Sequence, residues 1–213
     1  MSESVYVSNL MNDVVTGIHM TSDLQERDRD LVIEGSRLHK KAQPLPKELV
    51  PDVFYLVQKF DDEMGDALVP KKRLPDFLVG GGFFIVSARA ANVLREYDLG
   101  HGRLVPVEIY QPDRVTLVGS GWHVWTLGAQ RTGLSREDSG DLWEVAPGVA
   151  IWNVPIDPRK TPVAVHARLL EGGADVWIDP QLFQGVFFSH VLGKRLISEG
   201  LGNAFHLYEC KMV

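Results

Sequence analysis

The sequence predicts an α+β fold: mostly antiparallel sheet with two capped helices packed on it. Two observations carry that expectation. From Val53 onward, short runs rich in β-branched and aromatic residues alternate with turn residues, as strands do. Within the same stretch, two segments instead begin at a serine, carry leucines on one helical face and end at glycines.

Residues 1–50 read as an N-terminal, partly helical appendage and residues 51–213 as the main domain. Ser22 or Asp23 caps a helix carrying Leu24, Leu31 and Val32, with Glu26 in the capping-box position three residues after Asp23. Pro44, Pro46 and Pro51 favour extended backbone and end it. The expected strands are then Val53–Phe60, Phe83–Val86, Val105–Tyr110, Val115–Val118, His123–Leu127, Val149–Val154 and Val163–Leu170. Glu171-Gly172-Gly173-Ala174 reads as a hairpin turn into Asp175–Ile178. The two helices are Ser87–Leu99, with Ala90, Val93, Leu94 and Tyr97 on one face, and Ser189–Glu199, with Leu192 and Leu196 inward. A shift of 102 positions superposes Ser87 on Ser189, Leu94 on Leu196, Leu99 on Leu201 and Gly100 on Gly202. That is either an internal strand-helix-strand pseudo-repeat or two helices with the same need for a cap, a leucine stripe and a terminal glycine.

Composition narrows the function. Across 213 residues, 45% hydrophobic and 23% charged residues fit a folded globular chain and not a disordered one. A net charge of −6 opposes broad attraction to nucleic acid or anionic lipid and suits a basic partner. Cys210 is the only cysteine, so neither an intramolecular disulfide nor a cysteine zinc site is expected. With no leader pattern and no long apolar run, a cytoplasmic location is expected.

The chemistry-bearing residues assemble no catalytic, cofactor or metal motif. His19, His39, His101, His123, His166, His190 and His206 are scattered, with no pair at the spacing that puts ligands on one helix face. Gly80-Gly81-Gly82 lacks phosphate-loop spacing and reads as a turn feeding a buried strand. Gly119-Ser120-Gly121, followed by Trp122 and His123, is the nearest approach to a nucleophile site, but it lacks the fuller nucleophile-elbow pattern. A hairpin turn between Val115–Val118 and His123–Leu127 explains the same residues with nothing left over. Trp125, Trp152 and Trp177 read as core; Trp143, in the polar stretch Ser135–Glu144, suits a recognition loop. Two acidic clusters, Asp61, Asp62, Glu63 and Asp66, then Glu137, Asp138, Asp141 and Glu144, are the expected partner-binding residues together with Trp143. Solvated loops are the competing explanation of both.

The chain also resembles a family, the bacterial immunity proteins encoded beside polymorphic toxins, specifically the eleventh-numbered Imm family. The residues that carry the resemblance are Val53–Tyr55, Leu74-Pro75-Asp76-Phe77, Phe83-Phe84-Ile85-Val86-Ser87, Leu99-Gly100 and Val105-Pro106-Val107-Glu108. The C-terminal part adds Asp175–Asp179, Phe187-Phe188-Ser189, a helix to Glu199, Gly200-Leu201-Gly202 and a last strand through Tyr208. Residues 1–50 and the loop Arg131–Glu144 have no counterpart. The resemblance implies a non-enzymatic protein that neutralises a cognate toxin domain in the producing cell, and it supplies no functional residues. Two other readings stand beside it: a hydrolase using Ser120 or an acidic pair, and a scaffold or homodimer joined through edge strands.

Overall fold

The computed structural model describes residues 3–10, 19–57 and 74–213. In chain order the elements begin with β1 (Tyr6–Ser8), β2 (Met20–Ser22), α1 (Asp23–Arg27), α2 (Arg29–Lys40), β3 (Val53–Leu56), β4 (Phe77–Gly80) and β5 (Phe83–Val86). Next come α3 (Ala88–Leu94), β6 (Leu104–Tyr110), β7 (Trp122–Trp125), β8 (Leu134–Ser135), β9 (Trp152–Asn153) and β10 (Ala164–Val165). The chain closes with β11 (Val176–Trp177), β12 (Leu182–Phe183), β13 (Val186–Phe188), α4 (His190–Ser198), β14 (Leu207–Glu209) and β15 (Lys211–Met212). The fold is α+β with mostly antiparallel pairing, as the sequence predicts. A six-stranded sheet runs β2-β3-β6-β7-β5-β4, a four-stranded one β11-β13-β1-β14, and two small sheets run β15-β10-β8 and β12-β9.

Period-two alternation divides the core. On β5, Phe83 and Ile85 face a cluster shared with Leu24 and Val32 of α1 and α2, while Phe84 and Val86 face a second cluster shared with α3 and α4. On β13, Val186 and Phe188 join that second cluster, and Phe187 points the other way into a third with Trp177, Leu134 and Val165. Both faces of each strand are buried, so a one-residue slip would exchange side chains of different size between two packed clusters, and the register is fixed by packing on both sides. The first fifty residues, read as an appendage, are woven into both large sheets: Tyr6–Ser8 lies between β13 and β14, and Met20–Ser22 pairs with β3.

Each predicted helix start is observed. The Ser87 hydroxyl accepts the Ala90 N–H at 3.3 Å and donates to Asp76 at 2.6 Å; the Ser189 hydroxyl accepts the Leu192 N–H at 3.3 Å and donates to Asp175 at 2.5 Å. The backbone repeats the pattern, with Ser87 N–H to Asp76 carbonyl and Ser189 N–H to Asp175 carbonyl both at 2.9 Å. Each unit therefore runs aspartate, strand, turn, antiparallel strand, capping serine, helix, so the 102-residue match has a structural counterpart.

Several boundaries differ from expectation. The N-terminal helix is split: Ser22 caps α1, and Asp28 leaves the helix (φ −158°) and caps α2 in turn. Residues 115–118 form only a single antiparallel bridge, Leu117 to Tyr110 of β6, because the Asp113 carboxylate takes the N–H groups of Val115 and Thr116, both at 2.9 Å, and holds the start of the segment in a turn. Ser120 therefore lies in a long β6–β7 connection and not in a tight hairpin. The expected strand Val163–Leu170 shortens to Ala164–Val165 before a 3-10 turn, Ala167–Leu170. Nor is Glu171–Ala174 a hairpin, since β11 pairs with β13 and β10 with β15 and β8. Gly80–Gly82 does feed a buried strand, and Gly81 and Gly82 adopt φ of 57° and 85°, which side-chain-bearing residues rarely do.

Candidate partner-binding groove

Helix α2 forms with Asp28 as cap, and its sequence separates an apolar face from a basic one. Val32, Gly35 and His39 face inward, while Arg37, Lys40 and the following Lys41 stay exposed. His39 is fully buried: its Nδ1 accepts the Leu127 N–H at 3.3 Å, and the Phe84 ring meets it edge-on at 4.7 Å. Burial and the nearby Lys40 charge push its pKa down to about 3, so this imidazole is neutral. Arg37 is clasped by Glu34 through contacts of 2.8 and 2.6 Å. Lys40 and Lys41 make no ion pair among the described residues.

Those cations border a groove of about 460 Å³ between the end of α2 and the β12 turn. Its floor is apolar, with Leu127 and Leu182 buried and Ile151 and Ile178 half-buried; Pro180 and Phe183 form its outer lip. Asp179 also lines it, but its carboxylate accepts the N–H groups of Gly133, Leu134 and Gln181 at 2.7, 2.8 and 2.9 Å. Its lone pairs are thus turned to the backbone. A second, larger groove of about 600 Å³ on the other side of α2 shares Arg37 and Lys40, so the end of the helix is a cationic ridge.

Beside the groove, three short segments form a ladder. Glu144 bridges Trp152, the Asn153 N–H reaches the Trp143 carbonyl at 3.0 Å, and Asn153 lies in register with Phe183. That register puts Trp143, Asn153 and Phe183 in one outward row, while Trp152 and Leu182 turn toward the third core cluster. Trp143 is 48% exposed and Phe183 45%, and Val145 at 45% extends the patch.

The sequence-predicted residues divide as follows. Asp61, Asp62, Glu63 and Asp66 lie outside the described residues. Glu137 and Asp141 are exposed. Asp138 accepts the Ser135 hydroxyl at 2.7 Å and sits 3.8 Å from Lys211, and Glu144 accepts the Gly148 N–H at 2.9 Å. The loop is anchored beneath by buried Leu142 and by Arg136, whose guanidinium donates to the Gly140 and Leu142 carbonyls. Trp125 and Trp177 are core, as expected, while Trp152 is only partly buried. Ser120 is exposed, and His123 spends both ring nitrogens elsewhere, on the Gly121 carbonyl at 3.0 Å and on Arg95 at 2.6 Å. Burial and the Arg95 charge lower its pKa. The fold therefore does not bring Ser120 and His123 together as a nucleophile and base.

Sequence reasoning missed Lys40, Lys41, Ile151 and Phe183. The basic run Arg37 to Lys41 was legible as a helix end; its meeting with residues 178–185 is a tertiary fact. Among the described residues no three metal-binding side chains converge, and no helix is long and apolar enough to cross a membrane. No protein-family model and no curated protein matches the chain. The likeness to the immunity family thus rests on the residues quoted above.

Proposed function

We propose that this chain is an immunity protein that binds a cognate toxic domain in the cytoplasm of the producing bacterium and blocks it. The observation that carries the binding reading is the outward row of Trp143 and Phe183 beside an apolar groove. Contiguous exposed apolar surface on a folded chain marks an interaction site, and aromatic side chains dominate binding energy at such sites. The family resemblance supplies the kind of partner. Tight binding is required, because protection fails while free toxin persists; an interface of about 1,600 Å² with good anchors reaches that regime.

The test is affinity purification from the native cell, followed by expression of the recovered partner alone and with this chain. The partner is expected to kill cells lacking the chain and to be harmless beside it. Trp143→Ala combined with Phe183→Ala should weaken binding by roughly a thousandfold, since each truncated anchor costs about 2 kcal/mol. A partner that is not toxic on its own would overturn the reading.

A further inference from the structure

The groove at the end of α2 has a chemistry opposite to that of the chain as a whole. The molecule carries −6 overall, yet the groove is bordered by Lys40 and Lys41 with no ion partner among the described residues, and its one carboxylate, Asp179, is held by backbone amides. We propose that this groove docks a segment of the partner protein in which an apolar side chain lies next to carboxylates. The proposal rests on the binding function above and names the partner chemistry that this surface selects.

Three features support that occupant. The lip is held in place: Gln184 sits at φ 63°, a left-handed conformation costly for a residue with a Cβ, and Phe183 precedes it in a turn closed by Gly185 N–H to Leu182 carbonyl at 3.2 Å. A Cβ on Gly185 would come within 2.6 Å of the Leu182 side chain, so the turn and the position of Phe183 are fixed together. An anchor held before binding loses little entropy on contact. Second, Leu182 already spends its backbone N–H on Asp179 and its carbonyl on Gly185, so an added strand finds little free backbone there. Recognition must run through side chains. Third, a second exposed aromatic, Trp143, stands past the groove across Asn153 from Phe183, further than a small carboxylate ligand would cover.

Charge then sets the register. A segment bearing carboxylates is repelled by an acidic molecule except where cations meet it, and Lys40 and Lys41, without an ion pair among the described residues, put such cations directly beside the apolar floor. This differs from the basic partner that net charge alone suggests, since a partner is met by a local surface and not by a sum.

The experiment is selection of short random peptides displayed against the full chain, repeated on Lys40→Glu with Lys41→Glu and on Phe183→Ala, each variant checked for folding by circular dichroism. The expected peptides pair a large apolar residue with Asp or Glu, weaken as salt rises, and lose roughly tenfold in affinity on the lysine reversal, as a few solvent-accessible ion pairs would give. They should also bind Phe183→Ala more weakly. Peptides without acidic preference, equal binding to the lysine reversal, or no selected peptide would each overturn the proposal. The toxin test fails separately. If the lysine reversal still neutralises the recovered toxin with unchanged affinity, the immunity reading stands and the groove is not its docking site; if acidic peptides bind the groove but the partner is not toxic, the groove stands and the immunity reading falls.

Discussion

Helix α2 shows two treatments of polar residues within a few ångströms. On its inner face His39 is stripped of water and proton, and Gly35 presses so closely on the chain that an added Cβ would lie 2.5 Å from the Leu49 carbonyl and 3.1 Å from the Phe83 ring. On its outer face Lys40, with Lys41 just after it, is exposed and makes no ion pair among the described residues. Burial thus converts one titratable group into a packing element, while exposure beside an apolar floor leaves the others available for recognition. The inner face answers to stability and the outer one to binding, and substitutions on the two should separate those readouts.

The largest effect should come from His39. Its pKa is depressed from 6.5 to about 3, so the unfolded chain takes up the proton first and stability rises with pH. The contribution is complete above the unfolded value and is lost as pH falls from about 6.5 toward 3, at roughly 1.4 kcal/mol per pH unit. Urea unfolding across that window should show a shallower loss in His39→Gln, which keeps an acceptor for Leu127. An identical acid slope in the two proteins would mean that the inner face is not closed to water.

Gly35→Ala comes next. The substitution improves helix propensity by about 1 kcal/mol but forces the Leu49 backbone and Phe83 to move, an overpacking cost of about 1–3 kcal/mol. A net loss of up to about 2 kcal/mol in unfolding free energy is expected by denaturant titration, and a gain would show that the helix can lift off its sheet without cost. Asp28→Ala removes the carboxylate that accepts the Asp30 and Leu31 N–H groups and should cost about 1 kcal/mol, read by thermal melting. The smallest stability effect belongs to Lys40→Gln with Lys41→Gln, about 0.5 kcal/mol from the lost complement to the helix dipole. Acidic peptide binding should fall severalfold in the same variant. A large stability loss with unchanged binding would invert the contrast between the two faces.

What the sequence by itself determined was local. Ser22, Ser87 and Ser189 act as caps because a serine hydroxyl satisfies an N–H that has no partner in the first helical turn, a need met within three residues. Phe83–Val86 is a strand with two buried faces for an equally local reason, the alternation of its side chains. The exposure of Trp143 was legible from its polar neighbours in the same way. Tertiary structure decided the rest. The strand expected at Val115–Val118 lost two N–H groups to Asp113 and kept only a single bridge to β6, and the one expected at Val163–Leu170 found partners for only two residues. Only folding placed the cations at the end of α2 beside Phe183, more than 140 positions away in the chain. Spacing and propensity describe what a residue offers to its neighbours in sequence, whereas a binding surface is made by residues that meet only once the sheets have paired.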